Sequence, residues 1–247
     1  MKDNTTLQRY EFKYFLPKKI SEDIKNQVNN FMDIDKNANS KLNKEYFVRS
    51  VYFEDDFNSN FDEKVDGHRI RKKFRFRHYG KNLEDDGPIY LETKGRNLER
   101  TYKRRIKIDK SDVELIKKNK FLYKLSQKYS NSQTINEFVF ESYRKNLKPK
   151  VIIDYMRRPY VNKHGLYFRL TFDQKISCIN LNNNLDNSYL NQNISCKTGY
   201  TILEVKFDRS IPLWFHRIIQ SYNLRRQSIS KFVLGMCYSK LGQETSD

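Results

Sequence analysis

The sequence is short of cysteine and has no long apolar runs, and each shortage excludes a class of protein. Its three cysteines, Cys178, Cys196 and Cys237, are odd in number and lack CxxC spacing, so they indicate neither a disulfide framework nor a zinc site. No apolar run is long enough to cross a bilayer, and the opening residues, MKDNTTLQRYEF, lack the apolar region of a signal peptide. We therefore expect a soluble, cytoplasmic protein whose thiols are reduced and packed.

Familiar catalytic motifs are missing as well. The sequence contains no HExxH pair, no Ser/His/Asp pattern and no G-x-x-x-x-G-K-[ST] loop, so zinc-protease, triad-hydrolase and P-loop mechanisms are unsupported. We expect the four histidines to be packing or surface residues. They are His68, His78, His164 and His216.

Acidic residues are far fewer than basic residues. The chain carries 48 Lys and Arg against 30 Asp and Glu, a formal net charge of +18 at pH 7. Such an excess indicates a polyanionic partner, which could be nucleic acid, an anionic membrane surface or a phosphate-rich small molecule. With 247 residues, 37% of them hydrophobic, the chain can bury a substantial core. No break in composition divides it, so we predict one domain over residues 1–247.

Five cations alternate with mostly apolar residues in the stretch RIRKKFRFRHY, residues 69–79. As a strand, this stretch has one cationic face and one largely apolar face, whereas a helix would scatter the cations around its circumference. Something strongly anionic is expected to face it. The cationic positions are Arg69, Arg71, Lys73, Arg75 and Arg77, and the apolar ones are Ile70, Phe74 and Phe76.

The same alternation recurs in residues 9–14, 91–94, 102–108, 168–173 and 203–207, often with an acid embedded among the cations. In an ordinary sandwich these charged faces would lie in water. The recurrence favours an α+β fold, a closed antiparallel β-barrel whose charged faces point inward and whose apolar faces carry helices. Lys103, Arg105 and Lys107 are equally compatible with a solvated face, so they stay outside the predicted site.

Helices are predicted between and after the strands from caps and apolar periodicity. They comprise residues 21–32, a segment opened by the capping-box pair Ser111 and Glu114 ahead of Leu115 and Ile116, residues 134–147 before Pro149, and segments beginning near Pro212 and Ser230.

The ordered series RYEFKY, VRSVYFED, FRFRHYG, YLETKGR, YMRRPY, FRLTFD, LEVKFD and SISKFVLG resembles the VTC-type polyphosphate polymerase domain of the triphosphate tunnel metalloenzyme (CYTH-like) superfamily. The resemblance covers nearly the whole chain. It implies an eight-stranded antiparallel tunnel that binds a nucleoside triphosphate and a divalent cation, Mn²⁺ or Mg²⁺. It also implies transfer of the terminal phosphate of ATP to a growing polyphosphate chain, with release of ADP.

The resemblance assigns site residues motif by motif, and every matched position holds a suitable side chain. Glu204 of LEVKFD matches the metal-binding glutamate, and because hard divalent ions prefer carboxylate oxygen, Glu11 and Glu92 are candidate helper ligands. The matched catalytic and phosphate-binding positions are Lys13, Arg75, Arg77, Lys94, Arg157, Arg169, Ser230 and Lys231.

These residue types suit the implied chemistry. A triphosphate and an entering polyphosphate concentrate negative charge in a confined space, so several cations are needed to offset the repulsion, and arginine can hold phosphate oxygens with a planar fork. A terminal polyphosphate oxygen is already anionic near neutral pH. It needs alignment more than a general base. Ser230, at a helix N-terminus, could offer its hydroxyl together with backbone N–H groups to a phosphate.

One departure separates the chain from hydrolytic and cyclase relatives, which carry an E-x-E-x-K strand. Here Arg9 stands where the first glutamate would be, followed by Glu11 and Lys13. The missing carboxylate favours the polymerase-like branch. Two alternatives stay open, namely a triphosphate hydrolase on the same tunnel and a noncatalytic binder of polyphosphate or nucleic acid.

The expected partners are ATP and inorganic polyphosphate. We do not expect nucleic acid, because the phenylalanines lie on the opposite parity from the arginines and one sheet face would not present both. Since the chain has no membrane-spanning segment, any membrane coupling is expected to come from a separate polypeptide.

Overall fold

The computed structural model describes residues 4–6, 10–81, 87–98, 100–114, 121–163, 165, 167–181 and 193–242. Its strands are β1 (Asn4–Thr6), β2 (Tyr10–Pro17), β3 (Met32–Ile34), β4 (Tyr46–Glu54), β5 (Ile70–His78), β6 (Ile89–Asn97), β7 (Arg100–Ile108), β8 (Lys148–Asn162), β9 (Phe168–Asn180), β10 (Ile194–Ser195) and β11 (Tyr200–Phe207). Its α-helices are α1 (Lys18–Val28), α2 (Lys36–Asn39), α3 (Ser59–Val65), α4 (Lys110–Glu114), α5 (Phe121–Lys128), α6 (Gln133–Lys145), α7 (Leu213–Ser221) and α8 (Lys231–Tyr238).

The eleven strands form one antiparallel sheet, which confirms the predicted α+β class. Eight long strands follow one another in the order β7-β6-β5-β4-β8-β9-β11-β2, and β1, β3 and β10 add to β7, β8 and β9. The sheet curves into a tunnel-like wall, but the prediction of a closed barrel is wrong in one respect. Among the described residues, no backbone ladder joins β2 to β7.

The open seam lies between the two edge strands of the sheet. β1 pairs with β7 at one edge, and β2 pairs with β11 at the other. A side-chain contact also crosses this seam, because the ammonium group of Lys94 on β6 lies 3.5 Å from the carboxylate of Glu11 on β2. Side chains therefore link the two walls where hydrogen-bonded backbone does not.

The alternation predicted for residues 69–79 is present in β5. Phe74 and Phe76 are buried on the outer face, and Arg75 and Arg77 lie on the inner one. Two apolar layers cover the outside of the sheet, as predicted. One joins β4–β7 to α5 and α6 through residues that include Phe53, Phe74, Phe76, Leu91, Phe121 and Phe138, and the other joins β2, β9 and β11 to α1 and α7 through residues that include Leu16, Ile24, Phe172, Leu203 and Phe215.

A third apolar cluster lies on the inner face, where α8 packs against β8. Phe232 and Met236 of α8 contact a group that includes Val151, Ile153 and Tyr155. Helix and strand approach so closely that a Cβ at Gly235 would lie 2.7 Å from Cδ1 of Ile153. One end of the interior is therefore filled by a helix. The free thiols of Cys178 and Cys196 are buried, as expected of packing residues.

A bulge in β9 changes which side chains face inward, so one part of the strand lines the charged interior and the other part lines the apolar interior. The register between β8 and β9 shifts between Asp154 and Met156, and Lys175 adopts a left-handed conformation with φ of 52°. Because one extra residue is accommodated there, the inward-facing parity changes from Asp173 to Cys178. The alternation in residues 168–173 does not extend past this point.

Two helix boundaries differ from the prediction. α1 begins at Lys18, directly after Pro17, because the fixed φ of proline suits the position before a helix. It ends before Met32, which pairs with β8 instead. α6, α7 and α8 are confirmed, with Ser132 and Ser230 accepting hydrogen bonds at their N-termini.

A helix is present where Ser111 and Glu114 predicted one, but α4 begins at Lys110, so Ser111 lies inside the helix instead of capping it. Arg9, Leu115, Ile116 and His164 lie outside the described residues, so the structure does not test them. No helix within the described ranges combines the length and apolar character that crossing a membrane requires.

Replacing Gly235 with leucine tests the close packing of α8. The new side chain would meet Ile153, so we expect the free energy of unfolding to fall by about 1–3 kcal/mol in urea denaturation. Tyr238→Leu on the exposed side of the same helix is the control and should change stability by less than about 0.5 kcal/mol. Equal stability of Gly235→Leu and wild type would contradict the described packing of α8 against β8.

Candidate functional site

Glu92 is the centre of the first inner cluster. Its carboxylate is fully buried and contacts Arg75 at 2.7 Å, Lys103 at 2.6 Å and Arg77 at 3.7 Å. Burial alone would raise the pKa of Glu92, but the guanidinium groups of Arg77 and Arg75 outweigh it and hold that pKa well below its usual range. Glu92 is therefore a firmly ionised anchor for three cations from β5 and β7.

Hydroxyl groups orient the two arginines further. Arg75 donates to the Tyr52 hydroxyl at 2.6 Å, and Arg77 donates to Ser50 and Tyr155, both at 3.3 Å. These acceptors lie on β4 and β8, so three strands fix the guanidinium planes. Such preorganised donors can hold an oxyanion without first rearranging.

Glu204 on β11 is the centre of a second cluster. Lys231 lies 2.6 Å from its carboxylate, Arg157 and Lys206 lie at 3.3 Å, and Lys13 lies at 3.9 Å. Burial would raise the pKa of Glu204, but Lys231 and Lys206 outweigh it and keep that pKa well below its usual range. Four predicted site residues, Glu204, Lys231, Arg157 and Lys13, are thus brought together.

Asp173 completes this cluster. It is fully buried and accepts two hydrogen bonds from Arg157, both at 2.6 Å, while Lys231 lies 2.5 Å away. Burial opposes the charge of Lys231, yet Asp173 and Glu204 raise its pKa above the ordinary value. The sequence showed Asp173 on the alternating face of β9 but gave no indication that it would face Arg157.

Tyr155 lies where the two clusters meet. Its ring centroid is 4.9 Å from the ammonium of Lys231 and 5.2 Å from the guanidinium of Arg157, and its hydroxyl accepts the hydrogen bond from Arg77. The ring is thus a shared surface for cations of both clusters. Its parity with Arg157 in YMRRPY was the only signal of this role in the sequence.

A third group links β2 to β6. Lys13 donates to the carbonyl of Ile229 at 2.9 Å and contacts Glu11 at 3.1 Å, while Glu11 in turn contacts Lys94 at 3.5 Å. Burial would raise the pKa of Glu11, but Lys94 and Lys13 hold it well below its usual range. A continuous run of paired charges therefore crosses the seam.

Three residues lie differently from what the sequence suggested. Arg169 is on the inward parity of β9 but pairs with Asp35 at 3.2 Å, and the Ser230 hydroxyl accepts the N–H of Val233 at 3.4 Å as a helix cap. Lys103, left outside the predicted site, joins Glu92. Strand register places Lys103 diagonally beside Glu92, whereas the partners of Arg169 and Ser230 lie outside the strands.

The fold implies a divalent metal. The carboxylates predicted to bind it are those of Glu204, Glu11 and Glu92. Within the part of the chain that the structure describes, no group of three His, Cys, Asp or Glu side chains could hold a metal. Glu204 and Glu11 both contact Lys13, whereas Glu92 belongs to the other cluster. Mg²⁺ is commonly held by one or two carboxylates plus substrate phosphates, and that donor set fits Glu204 with Glu11.

Acid should weaken the fold through Glu92. Its folded-state pKa lies below the unfolded value of about 4.3, so its stabilising effect is fully present above that pH and is lost progressively as pH falls from there through the folded-state pKa. We expect Glu92→Gln to lose about 3–5 kcal/mol of stability at neutral pH, because three buried cations lose the carboxylate that pairs with them. Between roughly pH 6 and pH 3 its urea midpoint should fall less than that of wild type.

The control for this measurement is Asp56→Asn, which removes an exposed carboxylate paired with Lys148. Its urea midpoint should follow the wild-type curve at every pH. A Glu92→Gln curve parallel to the wild-type curve would contradict the described charge state of Glu92.

The fold is similar to solved structures over nearly its whole length. A candidate adenylate cyclase from Bacillus halodurans, bh2851, aligns with 92% of this chain and 95% of its own at 10% identity and a TM-score of 0.51. Lower TM-scores of 0.46 are found for PH1819 of Pyrococcus horikoshii OT3, at 12% identity with 92% and 97% covered, and for HpAC1 of Hippeastrum, a candidate adenylyl cyclase described as having dominant triphosphatase activity, at 11% identity with 93% and 96% covered. The Bacillus similarity supports a shared fold alone.

Family membership rests on a separate comparison. A search of curated proteins finds no match. A protein-family model described as the VTC domain, however, matches residues 8–240, which is nearly the whole sequence. The chain therefore belongs to the VTC domain family.

Proposed function

We propose that the protein is an ATP-dependent polyphosphate polymerase, which transfers the terminal phosphate of ATP to a growing polyphosphate chain inside the tunnel. Membership of the VTC domain family supports an enzyme that acts on triphosphates. The observation that carries the proposal is the junction at Tyr155, where Arg77 meets the cations Arg157 and Lys231. Cationic side chains of both clusters thereby meet at one residue.

Substrate binding is assigned to the cations of these clusters. Arginine forks suit phosphate oxygens, and lysine supplies adjustable point charges. Arg75, Arg77 and Arg157 are each held by a carboxylate, so an entering triphosphate finds these arginine donors already aligned rather than disordered. The binding residues are Lys13, Arg75, Arg77, Lys94, Arg157 and Lys231, with Arg169 and Ser230 at the periphery.

A divalent ion, Mn²⁺ or Mg²⁺, is proposed to bind Glu204 with Glu11 as helper. When bound, it would neutralise charge on the phosphate being transferred. This requires the ammonium groups of Lys231 and Lys13 to move from the carboxylates to phosphate oxygens. Glu92, with three cations around a fully buried carboxylate, is assigned to positioning Arg75 and Arg77 instead of binding metal.

The charge states favour phosphate transfer to an anionic acceptor over hydrolysis. Water needs a base, but Arg77 and Arg75 hold the pKa of Glu92 well below its usual range, and Glu204 and Glu11 are assigned to the metal, so none of these three carboxylates is available as a base. A terminal polyphosphate oxygen needs none. It attacks the γ-phosphorus, the bond from that phosphorus to the β–γ bridging oxygen breaks, and ADP leaves with the electron pair.

Residues 1–247 are proposed to act as one cytoplasmic domain. Membrane coupling, if present in the cell, is assigned to a separate polypeptide. Neither proposal is needed for the chemistry described above.

Product analysis with γ-labelled ATP and Mn²⁺ tests the proposed activity. We expect wild type to form a ladder of labelled polymer together with ADP. Glu204→Gln and Arg75→Ala should each lower the rate by about 10²-fold or more, because each removes charge stabilisation from the transition state. Arg217→Ala, on the exposed outside of α7, is the matched control and should retain wild-type activity.

Other products would point to the alternatives. Label found only in orthophosphate would indicate a triphosphate hydrolase on the same tunnel. Absence of nucleotide turnover, combined with tight polyphosphate binding, would indicate a noncatalytic binder.

Tyr155 offers a finer test of the junction. Tyr155→Phe keeps the ring beside Lys231 and Arg157 but removes the acceptor for Arg77, so we expect kcat/KM to fall by about 3- to 15-fold. Tyr155→Leu removes the ring as well and should reduce kcat/KM further. Equal kcat/KM for wild type and both variants would show that the junction does not contribute to catalysis.

A further inference from the structure

All three cysteines of the chain lie at one apolar cluster, the one in which α8 packs against β8. Cys178 of β9 is fully buried, Cys196 is 3% exposed, and Cys237 of α8 packs against the cluster from outside it. They come from separate parts of the sequence, so no motif predicted that they would gather. Phosphate transfer as proposed uses none of these thiols.

Strand pairing brings two of the three thiols together. β10 pairs with β9 so that Ile194 lies opposite Cys178. The backbone N–H of Cys196 donates to the carbonyl of Ile176 at 2.8 Å, which continues the same register. Cys196 and Cys178 are therefore diagonal neighbours on one face of the sheet, because residues two apart along a strand point the same way. Both thiols are free, and they form a hydrogen bond with one another.

This hydrogen bond activates one of the two sulfurs. The Cys196 thiol can donate either to the carbonyl oxygen of Ile194, at 3.7 Å, or to the sulfur of Cys178. Donation to the sulfur stabilises a thiolate, so it lowers the pKa of Cys178 although burial opposes it. The hydrogen bond and burial both raise the pKa of Cys196. Because the thiolate is the reactive form of cysteine, Cys178 is the sulfur expected to react first.

We propose that Cys178 and Cys196 are an oxidisable pair, which closes to an intrachain disulfide on reaction with a hydroperoxide and reopens on reaction with a dithiol. The Cys178 thiolate attacks one oxygen of the peroxide, the O–O bond breaks, and a sulfenic acid forms as hydroxide leaves. The Cys196 sulfur then attacks the sulfur of Cys178. The S–S bond forms, and the Cys196 proton leaves with the sulfenic hydroxyl as water. Two electrons pass from the thiols to the peroxide.

β10 gives the oxidant access to the pair and is also the element that the disulfide would fix. It consists of Ile194 and Ser195, both exposed. Short, exposed segments open at a low cost in free energy, so β10 can separate from β9 while the rest of the protein stays folded. A disulfide would join the two strands covalently and would restrict the unfolded chain over residues 178–196. Oxidation would therefore stabilise the cluster in which α8 is packed.

Thiol counting on the intact protein tests the pair. Folded wild type is treated with hydrogen peroxide, alkylated under denaturing conditions and digested without reduction. We expect the alkylated thiols to fall from three per chain to one, with a linked peptide that joins Cys178 to Cys196 and with Cys237 alkylated. Dithiothreitol should restore all three.

Thermal unfolding gives a second readout. Oxidised wild type should unfold at a Tm about 5–10 °C above that of the reduced protein, because the disulfide restricts the unfolded chain. Cys196→Ala should lose both the linked peptide and the rise in Tm, and any change that peroxide still causes in it measures oxidation of other side chains, such as methionine. Cys237→Ala is the matched control. It removes a thiol at the same cluster and should keep both the linked peptide and the rise in Tm.

Three results would overturn the proposal. Three alkylated thiols per chain after peroxide treatment would show that the pair does not close. A disulfide that includes Cys237 would assign the reaction to a different pair, and sulfonic acid at Cys178 without a linked peptide would show that Cys196 does not capture the sulfenic acid. The peptide analysis is made on wild type, so it decides the question even if Cys196→Ala is unstable. Since no measurement uses nucleotide or polyphosphate, the outcome is independent of the polymerase proposal.

Discussion

The fold depends on burying acids among cations on the concave side of a sheet. Glu92, Glu204 and Asp173 are each almost fully enclosed, and at least two cations contact each of them. Removing such charges from water is expensive, and only close and well-oriented pairs offset that loss. The carboxylates therefore allow a protein with a net charge of +18 to gather cations inside itself.

The outer face supplies the apolar packing that the charged part of the inner face lacks. Layers of phenylalanine and leucine under α5, α6, α1 and α7 hold the strands in place, so the charged inner side chains need not form an apolar core. This division matches the sequence. In β5, Phe74 and Phe76 lie on the outer face, and the charged residues lie on the inner face.

Alternation within a strand was enough to predict which residues face inward, and the ordered motifs were enough to identify the family. Partners across strands were not predictable, because they depend on register. Lys103 was indistinguishable from a solvated lysine until its diagonal neighbour was known to be Glu92. Asp173 and Tyr155 were missed for the same reason, since their roles arise from contact with Arg157 and Lys231. The bulge near Lys175 changes parity within a single strand, which no reading with a period of two could anticipate.

The position of α8 limits the length of the charged inner wall. β8 contains 15 residues, which corresponds to roughly 50 Å of strand at about 3.3 Å per residue. Much of its inner face, however, is covered by Phe232 and Met236. Lys231, at the start of the same helix, marks the place where the charged lining begins. The length of inner wall that is left to charged side chains is thus determined by where one helix starts, and lengthening the strands would not extend it.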